Sequence, residues 1–559
     1  MDEDLIVTTK QGKLYGSKTI TVLHKTPCYS FCGIPYAKPP LDNLRFMPPE
    51  PFEKWRGLLN ATKEKDDCLQ YSHFFNMYIG SEDCLYLNVH TPEPPRKITT
   101  PKPVMVLIHP GGNAWGSGSR DSLGNPDFLV PHDVILVTFN FRLHVFGFLS
   151  LGIQQCPGNM GLKDQVMVLR WVQENISSFG GDPNNVTLSG CSAASCDVHF
   201  HLMSPLSKGL FHRVIMQSGF AGNSNWSYIT PELSYERAVI LAQELGFKGG
   251  TSARKICSFL KTKTAMELTE GVGKLKSHIK NTNPEKYEAV QFLPTSETVS
   301  EGAFLTALPR DLMYTIEPIP IVCSMVRKEG LIAFCTKPIE TVRGNLEKVV
   351  RDGLSLYNID DKTLKHITKK IRAFYFGNRE INDAVLEDIV NLFTDLWFCE
   401  WYDMINYMAT LPGAQPVYVY EFAFYGKFNY QRRAYAENAP DWLVGACHAD
   451  DTSYVTYYKA LIELFREQAV FDEREAKVIK NLNILLTNFV KTGDPNGGTL
   501  DEIVWRPHYP DDPSHVVVDD NLTVVNSRIN EKRFQFWDEI MKVIYACERR
   551  LKENPPPSP

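Results

Sequence analysis

Residues 185–203 read NVTLSGCSAASCDVHFHLM, and this stretch decides the fold. Its first part is apolar and β-branched, as in a buried strand, and its second part can form a helix. Gly190 and Ser192 fit the pattern G-x-S-x-G, in which a sharp turn between strand and helix exposes a serine hydroxyl at the edge of a sheet. Ala194 stands where the second glycine belongs, and Cys191 precedes the serine. Because alanine adds only a methyl group, we expect a tight turn that still presents Ser192.

Strand-like and helix-like segments alternate on both sides of this turn. Apolar runs bounded by turn residues predict buried strands near 103–109, 133–141, 185–190, 213–219, 318–324 and 416–424. Between the second and third runs, Leu162, Val166 and Leu169 recur at helical spacing. Strands that alternate with helices predict an α/β fold, with a large, mostly parallel central sheet covered by helices on both faces.

The domain organisation follows from the absence of linkers. No Gly/Ser-rich or Pro-rich stretch interrupts the chain, so we predict one domain over residues 1–548 and a disordered tail over 549–559. Residues about 230–290 and 340–410 carry longer helical patterns with charged faces. We expect them to form helical insertions that cap one end of the sheet.

Composition excludes several classes of function. The chain has 559 residues, 43% of them hydrophobic, and a net charge of -6, which argues against nucleic acid as a partner. No apolar run approaches the roughly 18 residues that span a membrane. The acidic start is unlike a secretory signal, so we predict a cytoplasmic protein, or a secreted one whose leader was removed. Of 13 cysteines, Cys68 and Cys84 could form a disulfide in an oxidising compartment, or remain free thiols in the cytosol.

Two residues downstream of Ser192 complete a candidate for nucleophilic catalysis. Glu329 follows a buried strand and His448 lies in a loop, and Ser, then acid, then His is the chain order of α/β-hydrolases. A serine hydroxyl needs such a base, and the base needs an orienting acid. Backbone N–H groups for an oxyanion are expected from Ala193 and from the glycine-rich segment 106–118, VLIHPGGNAWGSG, through Gly111 and Gly112.

Other groups near these residues have less specific interpretations. His448 with Asp450 and Asp451, and His199 with His201, lack the further ligands of a metal site, so we predict no metal and no cofactor. Cys191 is either a small apolar filler or a thiol that makes the pocket sensitive to thiol reagents.

Several longer motifs together resemble the carboxylesterase/cholinesterase family of α/β-hydrolases, over nearly the whole chain. They are FCGIPYAKPPLDNLRF (31–46), GSEDCLYLNVHTP (80–92), NFRLHVFGFLS (140–150), residues 158–190, GLFHRVIMQSG (209–219) and KTGDPN (491–496). The short loop before SEDCLYLN, the motif GACHADDTSY (445–454) and the missing leader resemble the insect α-esterase branch.

This resemblance implies roles for individual residues. Ser192 would be the nucleophile, His448 the general base and Glu329 the acid, with Gly111, Gly112 and Ala193 as oxyanion donors. Ser218 matches a serine that supports these residues in relatives. The remaining correspondences are the structural ion pairs Arg45–Glu82 and Arg142–Asp164, and the acyl-pocket residues Trp226 and Phe292.

The chain also departs from the family pattern. The glycine loop normally reads H-G-G-G followed by an aromatic residue, whereas Pro110 and Asn113 stand here. The loop before SEDCLYLN carries Phe74, Phe75 and Tyr78, but not the tryptophan with which cholinesterases hold a quaternary ammonium group.

We therefore expect a serine carboxylesterase for uncharged xenobiotic or lipid esters, with a role in detoxification and insecticide metabolism, phosphorylated by organophosphates and acting as a monomer or weak oligomer. The alternatives are a juvenile-hormone esterase and a catalytically weak scavenging or binding member, similar to neuroligin-type adhesion proteins.

Overall fold

A computed structural model describes residues 2–72, 76–222, 224–282, 290–335, 338–464, 471–497 and 503–553. The strands in these ranges are β1 (Ile6–Thr8), β2 (Lys13–Tyr15), β3 (Ser17–Ile20), β4 (Pro27–Pro35), β5 (Leu58–Asn60), β6 (Gln70–Ser72), β7 (Met77–Ile79), β8 (Tyr86–Thr91), β9 (Lys102–Ile108), β10 (Ile135–Phe139), β11 (Gly181–Cys191), β12 (Arg213–Gln217), β13 (Ile321–Val326), β14 (Val417–Phe422), β15 (His515–Val518) and β16 (Leu522–Val525).

The α-helices are α1 (His144–Phe148), α2 (Met160–Asn175), α3 (Ala193–Met203), α4 (Ser224–Ser227), α5 (Pro231–Glu244), α6 (Ala253–Lys261), α7 (Ala265–Thr282), α8 (Pro309–Leu312), α9 (Pro338–Gly344), α10 (Leu346–Gly353), α11 (Asp361–Tyr375), α12 (Leu386–Trp397), α13 (Trp401–Thr410), α14 (Tyr430–Tyr435), α15 (Thr452–Val455), α16 (Lys459–Leu464), α17 (Glu473–Thr492) and α18 (Glu531–Glu553).

Eleven strands form the central sheet, in the order β16-β15-β14-β13-β12-β11-β9-β10-β8-β4-β3. The run from β15 to β10 is parallel throughout, and the antiparallel pairs lie at the two edges. Gly190 of β11 pairs with Ile108 of β9 and with Met216 of β12, so the carboxyl ends of these three strands lie side by side. The loops that follow them therefore meet at one edge of the sheet, as the predicted α/β fold requires.

Helices cover both faces of the sheet, because the central strands are apolar on both sides. Val104, Val106 and Ile108 of β9 pack into one core with Leu162 of α2. The alternate residues Met105 and Leu107 pack into a second core with α17. Successive side chains of a strand point to opposite faces, so one continuous apolar run serves both layers. The predicted three-layer arrangement is confirmed.

The two predicted insertions are helical. Helices α5 to α7 lie in the first, and α9 to α13 account for the second. The second insertion packs against α18 in a core of its own, which includes Val349, Ile367 and Trp537.

The C-terminal helix extends further than the sequence pattern predicted. Helix α18 continues to Glu553, so residues 549–553 are helical and not part of a disordered tail. Arg550 in its last turns forms a partly exposed ion pair with Asp360, the residue that caps α11. Residues 554–559 lie outside the described part of the chain.

Two further expectations concern covalent and membrane features. Cys68 and Cys84 form a disulfide, which decides between the two alternatives left open by the sequence. Among the helices that the structure describes, none has the length and apolar character needed to cross a membrane. The two ion pairs implied by the family resemblance are also present. Arg45 pairs with Glu82 at 2.5 Å, and the buried Arg142 pairs with Asp164 at 2.6 Å.

Candidate active site

Ser192 occupies a strained turn between β11 and α3. Its backbone has φ 60° and ψ −130°, a region that non-glycine residues rarely occupy. A Cβ on Gly190 would lie 2.6 Å from the carbonyl carbon and oxygen of Ala194, and one on Gly219 would lie 2.4 Å from the carbonyl oxygen of Ser192. Strand and helix backbones thus approach so closely that glycine is required at 190. Ala194 is accommodated, as the sequence predicted.

A chain of hydrogen bonds joins the three residues that the sequence selected. Ser192 Oγ lies 2.7 Å from His448 Nε2, and His448 Nδ1 lies 2.5 Å from Glu329 Oε2. Glu329 is fully buried, and its other oxygen accepts the backbone N–H of Val326 at 2.8 Å. The carboxylate therefore orients the imidazole so that Nε2 faces the hydroxyl, which is the geometry in which a histidine can take a serine proton.

The loops that carry Glu329 and His448 are joined to each other. The N–H of Lys328 donates to Ala446 O at 3.1 Å, and Lys328 forms a β-bridge with Cys447. Asp450 accepts the N–H of Cys447 at 2.7 Å and a side-chain N–H of Asn429 at 2.9 Å. Burial raises the pKa of Asp450 to about 7. This aspartate shapes the histidine loop.

Sequence reasoning missed a second connection behind the site. The carbonyl of Gln217 accepts the N–H of Ser192 at 2.8 Å, and its side-chain Nε2 donates to Asp451 at 2.8 Å. Burial raises the pKa of Asp451 to about 6, and the nearby charge of Glu329 acts in the same direction. Gln217 therefore links the turn at Ser192 to the loop of His448. The only sequence signal was its place in the QSG motif.

The glycine-rich segment runs from the end of β9 beside this turn. We call residues 109–116 the oxyanion loop. Gly111 and Gly112 have φ of +129° and +64°, and a Cβ on Gly111 would lie 1.9 Å from Trp115 O, so the loop is tightly folded. The His109 ring stacks on Phe141 at 4.5 Å between centroids. Since β9 pairs with β11, the loop begins next to Ser192 and Ala193.

The two predicted pocket residues differ in their surroundings. The half-buried ring of Trp226 lies edge-on to that of His448, with 5.9 Å between centroids. Phe292 is fully buried in the main core, and nearby Val290 flanks the oxyanion loop, 3.4 Å from where a Cβ of Gly112 would be. Contact with substrate stays a prediction for both. Phe74 and Phe75 lie outside the described residues.

Ser218 and Cys191 lie close to the site. The buried Oγ of Ser218 makes no hydrogen bond to any residue that the structure describes, and its backbone N–H donates to Ser324 O at 2.9 Å. Its backbone, with φ +51°, shapes the end of β12, and the supporting role of its hydroxyl stays a prediction. Burial raises the pKa of the Cys191 thiol well above its usual range, and the charges of Asp451 and Glu329 add to this. A buried neutral thiol favours the filler interpretation.

The two histidines on α3 have partners within the protein. His199 Nδ1 accepts the N–H of Ala221 at 3.0 Å. His201 lies 2.8 Å from Gln165 Oε1 through Nε2 and 2.6 Å from Ser207 Oγ through Nδ1.

Comparison with known proteins shows the family to which the chain belongs. The sequence model of the carboxylesterase family matches residues 3–537. The chain is 34% identical over 494 residues to esterase FE4 of Myzus persicae, covering 86% of this chain and 82% of that protein. It is 33% identical over 518 residues to juvenile hormone esterase of Tribolium castaneum, covering 88% and 84%. The crystal structure of juvenile hormone esterase from Manduca sexta, with OTFP covalently attached, superposes with a TM-score of 0.82 at 28% identity, covering 96% of this chain and 99% of that chain.

Proposed function

The chain belongs to the carboxylesterase family and is a carboxylic ester hydrolase, and we propose that it acts through an acyl-enzyme formed on Ser192. The observation that carries this proposal is the hydrogen-bonded chain Glu329–His448–Ser192, with 2.5 Å and 2.7 Å between the bonded atoms. A family relationship alone does not assign residues, and these distances support His448 as a base for the Ser192 hydroxyl.

The steps follow from the positions of these groups. Ser192 Oγ attacks the carbonyl carbon of the ester while His448 Nε2 takes the hydroxyl proton. The backbone N–H groups of Gly111, Gly112 and Ala193 donate to the oxyanion of the tetrahedral intermediate. The imidazolium then gives its proton to the departing alcohol, and a water activated by the same nitrogen releases the acid. The buried Glu329 carboxylate keeps the imidazole in one tautomer and stabilises its charged form.

We further propose uncharged xenobiotic or lipid esters as substrates. Trp226 offers an apolar ring beside His448, which suits an acyl group without charge. The same nucleophile would attack organophosphates, forming a phosphoryl-Ser192 that blocks turnover, and this suits a role in detoxification and insecticide metabolism. A juvenile-hormone esterase is the second candidate, supported by the relatives of that name in Tribolium castaneum and Manduca sexta.

The Cys68–Cys84 disulfide gives information about the compartment in which the protein is found. Disulfides persist in oxidising compartments and are rare in the cytosol. Of the two locations that the sequence allowed, we therefore favour secretion over the cytoplasm.

A burst assay with p-nitrophenyl acetate tests the proposed chemistry. The parent should release about one equivalent of p-nitrophenol per active site in the burst, and Ser192→Ala should show none. Ser189→Ala is the matched control, because Ser189 is buried three residues earlier in β11, and its hydroxyl makes no hydrogen bond to a described residue. This control should keep the burst. Equal bursts from the parent and Ser192→Ala would contradict the mechanism, and no burst from either would favour the binding protein.

A further inference from the structure

Asn113 is held in the oxyanion loop by a contact that reaches another element. It follows Gly112, is 2% exposed and has φ +55°, a left-handed conformation that asparagine tolerates better than most residues. Its side-chain Nδ2 donates to Asp197 Oδ1 at 3.0 Å, and its carbonyl accepts the N–H of His144 at 2.8 Å. The loop is thus fastened at the residue next to a proposed oxyanion donor.

Asp197 lies on α3, and its hydrogen-bond donors among the residues that the structure describes carry no charge. It is fully buried, and Gln165 Nε2 donates to its second oxygen at 2.7 Å. Gln165 Oε1 in turn accepts from His201 Nε2, and His201 Nδ1 accepts from the Ser207 hydroxyl. Every donor in this series of hydrogen bonds points toward the carboxyl group, so each carboxyl oxygen has one uncharged side-chain amide beside it.

The contact joins the two elements from which the oxyanion donors come. Asn113 is one residue beyond Gly112. Asp197 is four residues beyond Ala193, and residues at i and i+4 lie on the same face of a helix. The bond between Asn113 and Asp197 therefore links the oxyanion loop, at the residue after Gly112, to the first turns of α3, which begins at Ala193. Gln70 fixes the other end of the loop with two bonds to the Gly116 backbone, at 2.6 Å and 2.9 Å.

We propose that Asn113 and Asp197 are a positioning pair that sets the distance between the N–H groups of the oxyanion loop and that of Ala193. This inference rests on the proposed function. Neither residue touches the substrate in this scheme. Consecutive left-handed residues persist only where the surroundings hold them, and the Asn113 side chain supplies that restraint here.

The first test removes the bond with a side chain that has the same branching and the same number of heavy atoms. Asn113→Leu should lower kcat for p-nitrophenyl acetate by about 10²-fold, because a shift of about 1 Å in a reacting group costs that much. KM should change less than about threefold, since the pocket is untouched. Inhibition by a trifluoromethyl ketone, which forms a tetrahedral adduct, should weaken in proportion to kcat/KM.

A second test exchanges the amide and the carboxyl group between positions 113 and 197, in two steps. In Asn113→Asp two carboxyl groups face each other, and they can bond only while they share a proton. Its kcat relative to the parent should therefore fall as the pH rises from 5 to 8. In the double variant with Asp197→Asn, the new amide can donate to the carboxylate introduced at position 113 and still accept from Gln165. We expect kcat to recover to within about tenfold of the parent, with its pH dependence restored.

The matched control is Asn175→Leu. Asn175 is also buried and donates to Trp171 O at 3.1 Å, but it is the last residue of α2, before the start of β11, and it accepts the N–H of Lys10 at 2.9 Å. It should lose stability and keep kcat, measured well below the midpoint of unfolding. The positioning role would be overturned if kcat of Asn113→Leu stayed within threefold of the parent, or if kcat did not recover in the double variant. In either case an inactive Ser192→Ala would still support the proposed mechanism. An active Ser192→Ala would overturn both.

Discussion

Gly190→Ala tests whether the close approach of β11 and α3 holds Ser192 in place. The added Cβ would lie 2.6 Å from the carbonyl carbon and oxygen of Ala194, where ordinary contact begins at 3.4 Å. The two backbones must therefore separate by roughly 0.8 Å. Overpacking costs about 1–3 kcal/mol, and the obstacle here is backbone, so we expect about 3 kcal/mol. A displacement of this size at the nucleophile should also lower kcat by about 10²-fold.

Urea denaturation and p-nitrophenyl acetate kinetics measure the two effects of this substitution. Gly273→Ala is the control, because a Cβ there meets nothing within 4 Å and Gly273 is an exposed residue inside α7. It should gain about 0.5–1 kcal/mol from helix propensity and keep its activity. A Gly190→Ala enzyme with unfolding free energy within about 0.5 kcal/mol of the parent and kcat within about twofold would refute this account.

Three other substitutions test burial and charge. Arg142→Met should lower the free energy of unfolding by about 3–5 kcal/mol, because the fully buried Asp164 loses its bidentate partner; a loss below about 1 kcal/mol in urea would contradict this. Cys191→Ala should lose activity to N-ethylmaleimide as fast as the parent, since the Cys191 thiol is buried and its pKa is raised; a slower loss would mean that the thiol reacts. Burial raises the pKa of Asp197 from 3.8 to about 7, so between these values the native state holds a proton that the unfolded state has released. The unfolding free energy from this group therefore falls as the pH rises, by up to about 1.4 kcal/mol per pH unit. Asp197→Asn should remove that slope, and an identical pH dependence of parent and variant from pH 5 to 7 would rule it out.

Local sequence patterns were sufficient to predict the central sheet and the positions of the candidate residues in the chain. The apolar runs of β9 and β11 predict burial on both faces, because a strand covered by two layers needs apolar side chains in both directions. The turn at Ser192 could also be predicted, because the contact that requires glycine at 190 is with Ala194, four residues along the chain. Glu329 and His448 follow from chain order together with the family motifs.

Other features of the structure could not be predicted from local sequence patterns, because they involve residues far apart in the chain. The last turns of α18 contain Arg550, which forms an ion pair with Asp360, a partner 190 residues away in the sequence. Whether Cys68 and Cys84 are bonded depends on how closely folding brings them together. The backbone role of Ser218 depends on its strand neighbour Ser324, which lies far along the chain.

What the sequence by itself determined is thus the strand–turn–helix at Ser192 and the parallel sheet, together with the choice of Ser192, Glu329 and His448 as candidate residues. The tertiary structure alone decided which polar side chains hold these groups in place. Gln217 meets Asp451 across 234 residues, and Asn113 meets Asp197 across 84. Periodicity and turn chemistry record only whether a residue is buried and how its own backbone bends. A hydrogen bond between distant residues depends on which strands become neighbours, and that is settled only when the whole sheet has formed.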